Sequence, residues 1–239
     1  MKKRILTIAL VIALLATCFA GTYAYLIDDD AAKNVMVVGN ISIKQFEKER
    51  DASGALVDFT QNQPVVPAVG YTAWDAEGVD VNGVSMKVFD EEAMKNIVDK
   101  IVYVQNTGNV GAYIRTIVAI EAPDYDPNNL IGINYNSDAT VSMSAPICVE
   151  VGGVEYVCFV FTYVDEIGAN EFTVPSLMQL YLDPAATNAD LTAYGATWEI
   201  LCLSQGVQAD GFADAATALN TAFGAANAAN LTAWLATVA

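Results

Sequence analysis

Two hairpin signals constrain the fold of this chain more than any other feature. Ile101 to Gln105 reads as a strand, Asn106-Thr107-Gly108-Asn109 supplies turn chemistry, and Gly111 to Ile120 predicts a second strand. Farther on, Ile147 to Val151 and Val154 to Tyr163 flank Gly152-Gly153, a pair suited to a tight antiparallel turn. Chains that repeat this pattern build antiparallel sheets. Val-Met-Val-Val followed by Ile41-Ser42-Ile43 reads as another strand within Lys33 to Lys44, and charged, turn-rich Gln45 to Thr60 as a loop or hairpin. Pro64 to Gly70 is a Pro-punctuated edge, Phe172 to Leu182 is extended with Pro175 at its start or edge, and Trp198 to Leu203 is a core strand.

Helical signals are few. Asp90 to Lys100 opens with a capping Asp followed by Glu91 and Glu92, which predicts one short inserted helix. From Gln208 the apolar period changes to three and four, through Ala215, Leu219, Ala222 and Phe223, with Gly224 as a stop. The tail from Ala225 places Leu231, Trp234 and Leu235 on one helical face. The expected fold is mostly β: one antiparallel two-sheet sandwich over residues 26–239, with a helical segment over 209–239. A doubly wound parallel sheet is excluded, and no linker or internal repeat divides the chain.

The N-terminus reads as a secretory signal over residues 1–25. Lys2, Lys3 and Arg4 precede an apolar run from Ile5 to Ala20, which is shorter than the roughly 20 residues of a spanning helix. Small residues follow, and Asp28-Asp29-Asp30 ends the apolar stretch. An uncleaved anchor and a lipid-bearing Cys18 are the alternatives; Thr17 fits poorly before a lipidated cysteine. Processing after Ala24 or Tyr25 leaves about 214 residues, enough for one all-β domain. It also removes three of the 11 basic residues and none of the 28 acidic ones. No Lys or Arg follows Arg115. So anionic a surface repels phosphate backbones and acidic lipids, which argues against nucleic acid as a partner and leaves the signal as the membrane-directed part.

Three stretches resemble the TasA/camelysin family of exported proteins of Gram-positive bacteria. Gly21-Thr22-Tyr23-Ala24-Tyr25-Leu26-Ile27-Asp28, with Val38-Gly39-Asn40-Ile41-Ser42-Ile43 downstream, is similar to that family's G-T-[WY]-A-x-[FL]-x-D start and its following strand. Val102 to Arg115 resembles the V-x-N-x-G-x-x-x-A-Y-[VI]-R hairpin of proteins processed by SipW-type signal peptidases. Near the C-terminus, Ser204-Gln205-Gly206-Val207-Gln208-Ala209-Asp210-Gly211-Phe212 and Ala218-Leu219-Asn220-Thr221-Ala222-Phe223-Gly224 are similar to the Q-A-V-Q-A-x-G-F … A-L-x-x-A-F-G ending of the same group. The resemblance implies a jelly-roll β-sandwich, a SipW-type peptidase acting around Ala20, Gly21, Thr22, Tyr23, Ala24 and Tyr25, and a place on the cell surface or in a biofilm matrix. It also implies assembly with copies of itself or related exported subunits, through a freed N-terminal strand. Leu26, Ile27, Val35, Val37 and Val38, within residues 26–38, would form that donor strand, which contains no Pro. A monomeric adhesion or binding module is the alternative, with the segment paired to its own sheet.

The family also carries a metallopeptidase label. This chain has no histidine, which removes His-Glu-x-x-His zinc chemistry and every triad or dyad that needs an imidazole. We therefore expect no catalytic residues and no cofactor. Asp124, Asp126 and Asn128 have the rhythm of a calcium loop but lack its Gly and its closing Glu; Asp75, Glu77, Asp80 and Asn82 cluster similarly. Both read first as solvated acidic turns. Arg115, inside an otherwise apolar strand, is expected in an ion pair, with Tyr113, Trp74, Trp198 and Trp234 as packing residues. Cys148, Cys158 and Cys202 are an odd set for an exported chain. A three-residue loop would place Cys148 opposite Cys158, and a two-residue loop would place them on opposite faces.

Overall fold

The computed structural model describes residues 27–30, 41–63, 68–69, 77–81, 84–88, 95–122, 131–189, 192 and 198–238. Its strands are β1 (Ile27–Asp30), β2 (Ile43–Arg50), β3 (Leu56–Asp58), β4 (Glu77–Val81), β5 (Val84–Val88), β6 (Val98–Asn106), β7 (Ala112–Glu121), β8 (Ile131–Tyr135), β9 (Val141–Met143), β10 (Ile147–Val151), β11 (Val154–Tyr163), β12 (Leu177–Leu182) and β13 (Ile200–Gln208). Two helices close the chain, α1 (Ala215–Phe223) and α2 (Ala228–Leu235). One sheet runs β1-β13-β7-β11-β10, with β9 also on β11; the other runs β3-β2-β6-β12-β8. Every described pairing is antiparallel, and the two sheets pack as a sandwich.

The core between the sheets follows from period-2 alternation. Ala112, Ile114, Val118 and Ile120 of β7 face Val102 and Val104 of β6 and Leu177 and Leu180 of β12. The opposite face of β7 is apolar too. There Ile117 and Ala119 join Leu201, Leu203 and Cys158 beneath Leu231 and Leu235 of α2. Val207 packs under Ala218 and Leu219 of α1. The helices therefore cover one outer face of the sandwich, which explains why β7 reads as a nearly continuous apolar run. The β4–β5 hairpin covers part of the other outer face, with Met86 and Val88 against Ile101, Tyr103 and Met178.

Local chemistry sets the helix boundaries. The Asp214 side chain accepts from Thr217 N at 2.7 Å and caps α1, whereas Gly224, at φ 91°, ends it. The Asn227 side chain accepts from Asn230 N at 3.0 Å and caps α2. Gly152 and Gly153, at φ 62° and 88°, form a two-residue turn with Val151 opposite Val154.

One expected element is corrected. Within the span read as a helix from Asp90 to Lys100, Lys95 forms a β-bridge with Val69, and Val98 to Lys100 open β6. Residues 90–94 lie outside the described residues. The local helix signal loses at 95–100 because Val98 is buried and paired with Leu180 of β12, a contact set by the sheet.

Candidate functional site

Strand β1 ends its sheet beside β13. Its ladder places Ile27 opposite Val207, Asp28 opposite Gly206, Asp29 opposite Gln205 and Asp30 opposite Ser204. On its other side β13 pairs with β7, where Gln205 lies opposite Arg115 and Gly206 opposite Ile114. Asp29, Gln205 and Arg115 thus occupy one row across three strands.

Arg115 is 2% exposed. Its Nε donates to Gln205 Oε1 at 2.7 Å, Nη1 to Asn220 Oδ1 at 3.3 Å and Nη2 to the Gly224 carbonyl at 3.1 Å. The guanidinium carbon lies 4.6 Å from the Trp234 ring centroid and 5.7 Å from that of Phe223. These groups are neutral oxygens and aromatic faces. Helix α1 has no basic residue in its own last turn, so Arg115 brings a cation from the sheet to the negative end of the helix dipole. Gln205 is fully buried, and its Nε2 has no hydrogen-bond partner among the described residues.

The inner side of β13 is stitched to the other sheet. Ser204 Oγ donates to Gln45 Oε1 at 2.6 Å and lies 3.0 Å from Thr116 Oγ1, while Gln45 Nε2 donates to the Cys202 carbonyl at 3.1 Å. Gly206 lets the sheets close here: a Cβ on it would lie 2.8 Å from Ile43 Cγ2. Strand β13 is therefore fixed on both faces, by α1 and Arg115 outside and by β2 inside.

Of the expected site residues, the structure brings Ile27 and Arg115 to this region. Ala20, Gly21, Thr22, Tyr23, Ala24, Tyr25, Leu26, Val35, Val37 and Val38 lie outside the described residues, as do Asp75, Asn82, Asp124, Asp126 and Asn128. Glu77 and Asp80 belong to the β4–β5 hairpin. Among the described residues, no group of three or more His, Cys, Asp or Glu side chains could hold a metal ion. Among them, no helix is long and apolar enough to cross a membrane.

The two-residue turn leaves Cys148 opposite Val157 and Cys158 opposite Ile147. Cys148 is exposed, Cys158 is buried, and both are free thiols, as is partly buried Cys202. Burial, with the nearby Cys148 as a lesser cause, pushes the Cys158 thiol up to about 12. Burial likewise pushes Cys202 up to about 12. Such thiols carry almost no thiolate at neutral pH and are poor nucleophiles.

Sequence reasoning missed Gln205 and the helix end that holds Arg115, because both depend on which strand lies beside β7. It also missed an aromatic group on the outer face of β2. There Phe46 stacks on Tyr103 at 5.1 Å, beside Phe172, with Lys44 Nζ 4.7 Å from the Phe46 centroid. No protein-family model matches the chain, no curated protein matches it, and no solved structure matches it.

Proposed function

We propose that this chain is an exported structural subunit of a surface or matrix fibre, released by a SipW-type signal peptidase and joined to the next copy through its N-terminal strand. One observation carries the reading: the segment just after the expected signal forms a four-residue antiparallel ladder on the edge of β13. A ladder made by backbone groups on a sheet edge can be formed by the same segment of a neighbouring copy, and such a head-to-tail contact builds an open filament. The Gly21-to-Asp28 and Val102-to-Arg115 stretches support the same reading by their resemblance to TasA-type proteins. It assigns no catalysis, in keeping with a chain that has no histidine.

The ladder also favours a second reading, because β1 here pairs with β13 of its own chain. In that case the protein is a monomeric surface binding module. Electron microscopy separates the two. Protein beginning near Leu26 is expected to form filaments at high concentration, and protein lacking residues 26–38 is expected to stay monomeric. Monomers in both samples would overturn the fibre reading.

A further inference from the structure

Ammonium groups are scarce on this chain, which has 11 basic and 28 acidic residues, yet two of them converge on one ring. Lys44, Phe46 and Lys48 alternate along β2 and share its outer face. Lys44 Nζ lies 4.7 Å and Lys48 Nζ 5.6 Å from the Phe46 centroid, both within cation–π range. Like charges gathered in this way repel each other, and an anion placed beside them relieves the repulsion.

The fold shows which anion fits. Asp58 of β3 lies opposite Lys48, and its carboxylate accepts from Lys48 Nζ at 2.5 Å. The hydrogen bond and charge of Lys48, and more weakly the charge of Lys44, hold the Asp58 pKa below the ordinary 3.8. The Asp58 side chain is 92% exposed, and an ion pair so open to water is weak enough for an incoming carboxylate to displace.

An aromatic floor lies beside the ammonium groups. Phe46 stacks on Tyr103, its partner in β6, and Phe172 contacts both rings at centroid distances of 6.2 and 5.9 Å. Tyr103 is buried, whereas Phe172 is 40% exposed. A peptide laid over these rings finds no strand edge at Tyr103, because β6 is paired with β2 on one side and β12 on the other. Its amides would lose water without gaining partners. A uronate sugar has no such cost. It joins a carboxylate to a C–H face that the negative face of an aromatic ring attracts, and its hydroxyls stay in water at the sugar's rim.

We propose that the outer face of β2 and β6 binds an anionic polysaccharide, with a uronate carboxylate on Lys44 and Lys48 and the sugar's C–H face on Phe172. Asp58 holds the place of that carboxylate until the sugar displaces it. The acidic remainder of the surface is screened beyond about 8 Å at physiological salt, so a short oligosaccharide responds to the groups it touches. The site lies on the sheet that does not carry β1 and β13, so it is independent of fibre assembly and goes beyond the proposed function.

Equilibrium dialysis of protein beginning near Leu26 against hexagalacturonate tests the proposal, and it reads binding in monomers and filaments alike. Saturable binding is expected, weakened by about tenfold or more when Lys44→Gln and Lys48→Gln are combined, the scale of losing charge-assisted hydrogen bonds. Phe172→Ala should weaken it about threefold, the scale of one aromatic contact. Asp58→Asn should tighten it about threefold by removing a competing surface ion pair, a gain that damage to the fold does not produce. Uncharged maltohexaose and the acidic peptide hexaglutamate should each bind about tenfold more weakly or worse than hexagalacturonate. If the double lysine variant does not fold, Lys44→Gln decides alone, since Lys44 is exposed. Absence of saturable binding, or unchanged affinity in the lysine variants, would overturn the proposal. Equal binding of hexaglutamate would overturn the polysaccharide and assign the face to an acidic peptide. Filaments that bind no oligosaccharide would refute this proposal and leave the assembly reading standing; monomers that bind it as expected would do the reverse.

Discussion

Arg115 and Gln205 lie directly opposite each other on β7 and β13, joined by a 2.7 Å hydrogen bond between two buried side chains. The planar guanidinium reaches Gln205, Asn220 and the Gly224 carbonyl at once and lies against Trp234. An ammonium cannot match that fork or that stacking. Arg115→Lys is therefore expected to lower stability by about 2 kcal/mol, since buried acceptors lose their donors. Urea unfolding monitored by Trp fluorescence measures it. A loss below about 0.5 kcal/mol, within the range of surface changes, would contradict the arrangement.

The helix caps give separable effects. Asn227→Ala removes the acceptor for Asn230 N and should destabilise the protein by about 1 kcal/mol. Asp214 acts through its charge. Its hydrogen bonds from Thr217 hold its pKa below the ordinary 3.8, the backbone bond first. A carboxyl depressed in the folded state contributes stability above its unfolded pKa and loses that contribution as pH falls through the folded value. Wild type should therefore lose α1 capping below about pH 4, and Asp214→Asn should flatten that part of the stability–pH curve. Identical acid limbs for the two proteins would contradict this.

Tyr163 carries a buried hydroxyl with no hydrogen-bond partner of good geometry among the described residues. Nearby hydroxyls are engaged elsewhere: Thr116 with Ser204, Thr173 with Val104 N and Ser176 with the Val102 carbonyl. Although Thr116, Thr173 and Ser176 all lie close enough to favour the phenolate, burial outweighs them and raises the Tyr163 pKa. Tyr163→Phe removes an unpaired polar atom and keeps the ring, so stability should hold or rise by up to about 1 kcal/mol. A melting temperature clearly below wild type would contradict the orphan hydroxyl.

Thiol labelling reads the hairpin register. In folded protein beginning near Leu26, Cys148 should react rapidly with a maleimide, while Cys158 and Cys202 react only on unfolding. Rapid labelling of Cys158 would contradict the two-residue turn.

Much of the sandwich is legible in the sequence. The strands around Ile101 and Ile114, the Gly152-Gly153 turn and both C-terminal helices carry local signals strong enough to read directly. Gln45 to Thr60, which reads as loop or hairpin, is resolved by the ladder of β2 on β3 from Lys48 to Asp58. The span at Asp90–Lys100 misleads because capping and propensity are local, whereas β6 is selected by its neighbours β2 and β12. The site is less legible. Arg115 stands out as a lone cation in an apolar strand, but Gln205 lies 90 residues away in the chain, and nothing short-range pairs them. Their meeting depends on the order β1-β13-β7, which hydrophobic alternation does not encode.

A disulfide trap tests the assembly claim most directly. With Cys148→Ser to remove the exposed thiol, Ile27→Cys and Val207→Cys place two sulfurs at directly opposite ladder positions. Oxidised at high concentration and resolved under denaturing, non-reducing conditions, protein beginning near Leu26 is expected to give a ladder of covalent multimers joined strand to edge. Only internally bridged monomer at every concentration would contradict the account and identify β1 as a strand that serves its own chain.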